Sequence, residues 1–265
     1  AIIHVIRSFE KKDVTHVDGN IDAIRDIETI ETELTLRDIE SVEKRIEKLH
    51  KNVKTGDKQS IQELNVLNYI LPKMNEGVMV NDIDLDTDQK KHIRNLSLLT
   101  NKPILYIINA DENQISDNSN IQKIIQFIEK RKKSVIPLCG KIEEEISTLD
   151  DEEKLFYLQE YNLEISGLNK LINESYSLLQ LETFFTAGEK EVKAWTIEKG
   201  TYALDAAAEI HTDIKRGFIK AEVYSYNDLI KYESELALKT AGKIRQEGKN
   251  YIVKDGDIIF FKFNV

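Results

Sequence analysis

The chain opens on an almost unbroken run of apolar, mostly β-branched residues from Ala1 to Phe9. A run with so little polar alternation predicts a strand buried on both faces, of the kind found in parallel sheets. Pro103–Asn109 and Ser134–Cys139 repeat the pattern. Parallel strands need crossover connections, and three strands make a small sheet for an α/β domain. Further strands are therefore expected ahead of residue 1. Pro137 lies inside the last run and lacks an N–H, which places that strand at a sheet edge.

Between the first two strands the period changes. From Asp22 to about Lys54, Ile39, Val42, Ile46, Leu49 and Val53 step by three and four, as one stripe of a coiled coil does. Lys54–Lys58 reads as a turn, with Gly56 able to take positive φ. A second stripe follows at Ile61, Leu64, Leu67, Leu71 and Met74. Two stripes around a short turn predict an antiparallel helical hairpin. Asp86–Thr100 reads as a returning helix capped by Asp86 or Thr87. The parallel pattern then resumes, with a loop at 110–120, a helix over 121–132, and helix from Lys141–Ile146 onward to about Leu179. The hairpin is thus inserted in a parallel-sheet domain, and it reads either as a structural arm or as a docking element.

Beyond Thr183 the texture shifts to short strands: Val192–Ile197, Gly217–Tyr224, Tyr251–Val253 and Ile258–Phe263. Helical stretches at Asp205–Asp213 and Asn227–Leu238 lie among them, which predicts a small α+β domain with a mixed sheet and one principal helix. Tyr251 and Phe261 are assigned to its core. This region carries 13 basic and 13 acidic residues, so the net charge of -10 resides upstream. Across all 265 residues, 41% are hydrophobic and 32% charged, which suits several domains with long solvated helices.

A single cysteine, Cys139, excludes an intramolecular disulfide and a Cys-based zinc site, and fits a reducing cytosol. The histidines show no metal-ligand spacing. No apolar run approaches a bilayer span, and AIIHVIRSFE has no basic region ahead of its apolar residues, so neither membrane insertion nor a secretory signal is expected. The acidic balance excludes a broad nucleic-acid-coating surface while leaving room for a local basic patch.

The chemistry is sparse. No GxxxxGK[ST] phosphate cradle occurs; Gly242-Lys243 is followed by Ile244 and lacks the upstream glycine. No nucleophile–base arrangement is evident, so no catalytic residue is assigned. One candidate remains at Asn109-Ala110-Asp111-Glu112, which leaves the carboxyl end of a buried strand, where α/β sheets bind ligands. An Asn amide offers donor and acceptor to a purine edge, and a carboxylate three residues on accepts from ring N–H. An ordinary strand-to-loop turn uses the same residue types. Leu138-Cys139-Gly140 would supply a second base-contacting loop, with strand termination and a small buried Cys139 as the competing reading.

The NxxE loop after a hairpin insertion resembles the YchF family of Obg-related P-loop nucleotide hydrolases. Phe184–Lys190, Val192–Gly200, Ala208–Phe218, Ala241–Asn250 and Tyr251–Phe263 are similar to that family's TGS domain, a ubiquitin-like β-grasp fold. The resemblance implies a divided chain: part of a P-loop domain at 1–20, a coiled-coil hairpin at 21–101, the P-loop domain continued at 102–182, and TGS at 183–265. It implies that the P-loop and the Mg²⁺ ligands lie ahead of residue 1, and that these residues alone are inactive. Asn109 would face the purine edge, Ala110 would offer backbone contacts, and Glu112 would take the place of the GTPase aspartate. Leu138, Cys139 and Gly140 would close the pocket, Gly140 departing from the alanine often found there. The implied activity is cytoplasmic hydrolysis of ATP, with GTP secondary, coupled to ribosome binding. The alternative is a non-catalytic adaptor that grips ribosomal RNA or protein with the hairpin and TGS domain. Lys215 and Arg216, expected in a loop before Gly217, and Lys243, Arg245 and Lys249 are the candidate polyanion contacts; a solvated basic surface is the competing reading.

Overall fold

A computed structural model describes residues 1–9, 22–112, 114, 119–161, 163–188 and 191–264. Most of the expected first segment 1–20 beyond Phe9, and part of the expected loop 110–120, fall outside them. Contacts divide the chain into two units, Ala1–Glu174 and Ser175–Val265.

In the first unit, β1 (Ile2–Arg7), β2 (Ile104–Asn109) and β3 (Ser134–Leu138) form a parallel sheet in the order β1-β2-β3. Pro137 lies in an edge strand, as its missing N–H requires. The central strand is buried from Ile104 to Ile108. The first strand departs from expectation, because Ile3 and Val5 are 47% and 59% exposed. Those residues register with Leu105 and Ile107. Helices α1 (Ala23–Val53) and α4 (Ser119–Lys130) instead pack on the face carrying Ile6, Ile104, Tyr106 and Ile108.

The crossover from β1 to β2 contains the hairpin. Helix α1 is capped by Asp22, and α2 (Lys58–Asn75) by Asp57. The two helices pack through Val42, Leu49, Leu64, Leu67, Ile70 and Met74, with Ile39, Ile46, Val53 and Leu71 partly buried beside them. Ile61 is exposed and Ile70 fully buried, so the second stripe is rotated from its expected line. The expected helix 86–100 is shorter: α3 (Thr87–Ile93), with a capping box of Asp86 and Gln89, leads into a 3-10 turn at Arg94–Leu96. The cause is Asp38 on α1, only 2% exposed. Its carboxylate accepts the N–H groups of Leu99 and Thr100 at 2.9 and 2.7 Å and the Thr100 hydroxyl at 2.7 Å. Buried N–H groups must have partners, and here a carboxylate replaces the helical carbonyls.

After β3 come α5 (Gly140–Ser147), α6 (Asp151–Glu160) and α7 (Gly167–Leu178) in place of nearly continuous helix.

The second unit is a five-stranded sheet in the order β5-β4-β8-β6-β7, built from β4 (Leu181–Ala187), β5 (Val192–Glu198), β6 (Phe218–Ser225), β7 (Arg245–Glu247) and β8 (Asp257–Phe263). It is mixed, since β4 and β8 run parallel while the other pairs are antiparallel. Strands β4 and β7 were not expected as such, and Tyr251–Val253 contributes only a bridge between Ile252 and Tyr202. Each expected helix is divided in two. One gives α8 (Ala203–Ile210) and α9 (Thr212–Arg216), broken at His211; the other gives α10 (Tyr226–Tyr232) and α11 (Glu235–Thr240), broken where Glu233 takes φ 61°. The alanines of α8 pack with Phe184, Val223 and Phe261 on one face. Leu238 of α11 packs with Tyr224 and Ile258 on the other.

Candidate nucleotide-base site

Parallel pairing brings Ser8, Asn109 and Leu138 to the same end of the sheet. The loop after β2 is tied on both flanks. Toward β1, the Ser8 N–H donates to the Asn109 carbonyl at 3.1 Å, and Gln114 Nε2 donates to the Ser8 carbonyl at 2.8 Å. Gln114 also donates its N–H to Asp111 at 2.8 Å, forming a local turn. Toward β3, the Ala110 N–H donates to the Leu138 carbonyl at 2.9 Å.

Asn109 and Gly140 meet directly. The Gly140 N–H donates to Asn109 Oδ1 at 3.0 Å. That bond commits the amide's oxygen and leaves its NH₂ group with two donors for an acceptor on a ligand. A Cβ on Gly140 would stand 3.3 Å from the same oxygen, a tight approach that glycine avoids. Ala110 is buried in the core under β2, so only its backbone is available, and its N–H is already committed. Cys139 is buried with Ile142 and Ile146.

Glu112 is held by a residue that pattern reading passed over. Lys141, the second residue of α5, donates to Glu112 Oε1 at 2.6 Å. This bond, with the charges of Glu112 and Glu145 behind it, holds the ammonium above its ordinary pKa. Lys141 follows Gly140 in sequence, but its reach to Glu112 depends on β2 lying beside β3. Ser8 and Gln114 likewise carried no signal of their own.

Behind the loop, Leu138, Cys139, Ile142, Glu143, Ile165 and Lys170 line part of a cavity of about 490 Å³. It shares Leu138 and Cys139 with the expected base contacts but excludes Asn109 and Glu112. The Glu143 carboxylate accepts the Gly167 and Leu168 N–H groups at 2.6 and 2.9 Å, fixing the start of α7. Of the expected base contacts, Asn109, Glu112, Leu138 and Gly140 form an open rim at the strand ends, while the Ala110 and Cys139 side chains lie buried beneath it.

The basic candidates of the second unit are mostly engaged. Lys215 and Arg216 occupy the last turn of α9, not a loop, and pair with Asp205 at 2.8 Å and Asp213 at 3.1 Å. Lys243 lies 3.9 Å from Asp228. Arg245 sits in β7, donating to the Tyr251 hydroxyl at 3.0 Å and approaching Asp257 at 3.3 Å. Tyr251 donates to Asp257 at 2.8 Å, and burial, reinforced by that bond, pushes its pKa up to about 12. Lys249 is exposed with no ion pair among the described residues. Among the described residues, no group of three or more His, Cys, Asp or Glu side chains could hold a metal ion. No helix among them is long and apolar enough to cross a membrane.

A parallel α/β sheet with a polar loop at its strand ends, interrupted by paired helices and followed by a mixed-sheet unit, defines an α/β protein with a separate C-terminal domain. The chain belongs to the YchF family. It is 47% identical over 265 residues to a Pasteurella multocida protein named ribosome-binding ATPase YchF, covering 100% of this chain and 73% of that relative. It is 45% identical over 275 residues to Obg-like ATPase 1 of Gallus gallus, covering 99% and 68%. The solved structure of the Schizosaccharomyces pombe YchF GTPase is 33% identical and superposes with a TM-score of 0.85 over 99% of this chain and 72% of that one. The family described as YchF-GTPase_C, a protein of unknown function (DUF933), matches residues 181–264.

Proposed function

We propose that the chain supplies the base-reading and ribosome-binding parts of a cytoplasmic P-loop nucleotide hydrolase that prefers ATP to GTP. In this reading 21–101 is a coiled-coil hairpin dividing the P-loop domain (1–20 and 102–182), and 183–265 is a TGS β-grasp domain. The observation that carries it is the Asn109–Gly140 bond at the strand ends, which engages the Asn109 amide oxygen and leaves its NH₂ donors for a ligand. The Asn109 NH₂ donates to a purine ring nitrogen, while Leu138, Cys139 and Gly140 form the neighbouring wall. Preference for ATP follows from Glu112. Guanine needs a carboxylate placed to accept its ring and exocyclic N–H groups; here the longer Glu112 stands where the GTPases carry an aspartate, and Lys141 holds it aside at 2.6 Å. Adenine makes no such demand. The names of the relatives support ATP and the ribosome as partners.

Phosphoryl transfer rests on positioned Mg²⁺ and phosphate-binding donors. The 265 residues contain no GxxxxGK[ST] motif, and so lack the Ser/Thr that such a motif supplies to the metal. No step of the transfer is therefore assigned to them, and a polypeptide of these residues alone should turn over no ATP.

The test is equilibrium nucleotide binding by full-length protein. Asn109→Ala should weaken ATP roughly 10- to 100-fold, the loss of a polar contact in a base-reading site, while CTP affinity stays within about twofold. Unchanged ATP affinity in a folded variant would remove the base from this rim.

A further inference from the structure

Much of the chain's negative charge is concentrated in one stretch. From Glu143 to Glu164 nine residues are acidic and one, Lys154, is basic. Helix α6 lies within it and carries the most exposed aromatic ring among the described residues, Phe156 at 71%, next to Leu155 at 63%. A single exposed leucine is ordinary on a protein surface. Two large apolar neighbours in so acidic a stretch are not, since water solvates the carboxylates and gains nothing from the ring.

The helix has two distinct sides. Tyr157, Leu158 and the capping residue Tyr161 pack on Cys139, Ile142 and Ile146, and the Tyr157 hydroxyl donates to Glu145. At 100° per residue, Leu155 and Phe156 straddle the opposite side, along the line from Glu152 to Gln159. One turn either way from Phe156 stand Glu152 and Glu160; one turn from Leu155 stand Asp151 and Gln159. All six side chains are exposed. The other carboxylates nearby are committed: Asp150 caps the helix, Glu153 completes the capping box, and Glu143 holds the start of α7. Lys154 reaches Asp151 at 3.5 Å. Glu152 and Glu160 make no ion pair among the described residues.

We infer that this side of α6 is a docking face for a basic amphipathic helix of a partner protein. Phe156 and Leu155 supply the apolar anchors, and Glu152 and Glu160 pair with Lys or Arg flanking the partner's apolar stripe. Charge complementarity selects this occupant. Nucleic acid is excluded, because the carboxylates repel phosphates. A membrane is excluded for the same reason: helices that lie on anionic lipid carry basic polar faces. A second copy of the chain would have to bring exposed cations and an apolar stripe together, and its unpaired lysines at 48, 51, 54 and 58 have no large exposed apolar residue between them.

The test uses full-length protein and, as probe, a labelled amphipathic helical peptide of Leu and Lys, with polylysine and the matching Leu/Glu peptide as controls. Two variants, Leu155→Ser with Phe156→Ser and Glu152→Gln with Glu160→Gln, are checked for unaltered helicity and melting. The serine pair should weaken the Leu/Lys peptide about tenfold or more and leave polylysine unchanged. The glutamine pair should weaken both and reduce their salt dependence. Leu155→Met with Phe156→Trp should keep the wild-type affinity for the peptide. The inference fails if wild-type protein does not bind the Leu/Lys peptide, or if the serine pair binds it as wild type does, which would leave only a solvated acidic surface. Equal binding of the Leu/Glu peptide would reduce the face to unselective apolar contact and also overturn it. Sedimentation velocity showing a wild-type dimer that the serine pair abolishes would assign the face to a second copy and reject the partner.

Discussion

In the second unit Lys215, Arg216, Lys243 and Arg245 each rest near a carboxylate, whereas Lys48, Lys51, Lys54 and Lys58 on the hairpin make no ion pair among the described residues. Yet the first unit is the acidic one. Carboxylates of both units are divided between cations and backbone N–H groups. In the first unit Asp22, Asp57, Asp86 and Asp150 cap helices, while Asp38 and Glu143 accept backbone N–H groups. In the second unit the side-chain caps are Ser225, Ser234 and His211. Its Asp205, Asp213, Asp228 and Asp257 lie beside cations. Net charge therefore says little about which cations are open to a partner; the competition for each carboxylate decides it.

The largest effect should come from a carboxylate committed to backbone. Asp38→Ala leaves two N–H groups and a hydroxyl without their partner and should cost about 3 kcal/mol, read from urea unfolding of the first unit's transition. A loss under about 1 kcal/mol would mean that solvent or a neighbour replaces the carboxylate, and would erase the contrast. The matching change in the second unit is Asp257→Asn, which should cost about 1–2 kcal/mol. Tyr251, Lys254 and Arg245 all lean on that carboxylate. Hydrogen exchange should quicken around 245–257 and remain slow at the hairpin; a global change would contradict independent pairing in the two units.

A smaller effect concerns pH at the hairpin root. The Tyr106 hydroxyl donates to Glu31, which also receives Arg131 at 2.8 Å, and the His4 ring lies 5.5 Å from that of Tyr106. Burial holds His4 below its ordinary pKa of 6.5, against the opposing pull of Glu31 and Asp26. The folded state thus favours neutral imidazole, and the unfolded chain takes the proton first as pH falls. This contribution to stability is present above 6.5, declines as pH drops toward the folded value, and levels off below it. Urea midpoints across that range should show the decline in wild type and lose it in His4→Gln. An identical slope in both would assign the titration elsewhere.

The smallest effect is expected at Gly140→Ala. The new methyl would stand 3.3 Å from Asn109 Oδ1. A shift of a few tenths of an ångström should change ATP affinity less than about threefold, with stability within about 0.5 kcal/mol. A much greater loss of affinity would show that the rim depends on that bond more closely than its geometry suggests.

The helical stripes, the three parallel strands and the NxxE loop were all legible in the chain, because burial on one face imposes a period and strand ends favour Asn and Asp. Ile70 replaced Ile61 in the second stripe because the packing angle between helices is not written in either helix alone. The returning helix broke early because a carboxylate from sixty-odd residues upstream captured its N–H groups. The basic residues of the second unit read as a patch because sequence lists charges without their neighbours.

Local patterning thus determined which segments became helix and strand, where several helices were capped, and which loop follows the central strand; these rest on interactions among residues close in sequence. Tertiary structure alone decided that Lys141 holds Glu112, that Gly140 orients Asn109, and that Lys243 and Arg245 lie beside Asp228 and Asp257. Those outcomes require groups distant in the chain to meet within a few ångströms, and a hydrogen bond or ion pair is settled by that distance and by rival partners, neither of which a linear pattern records.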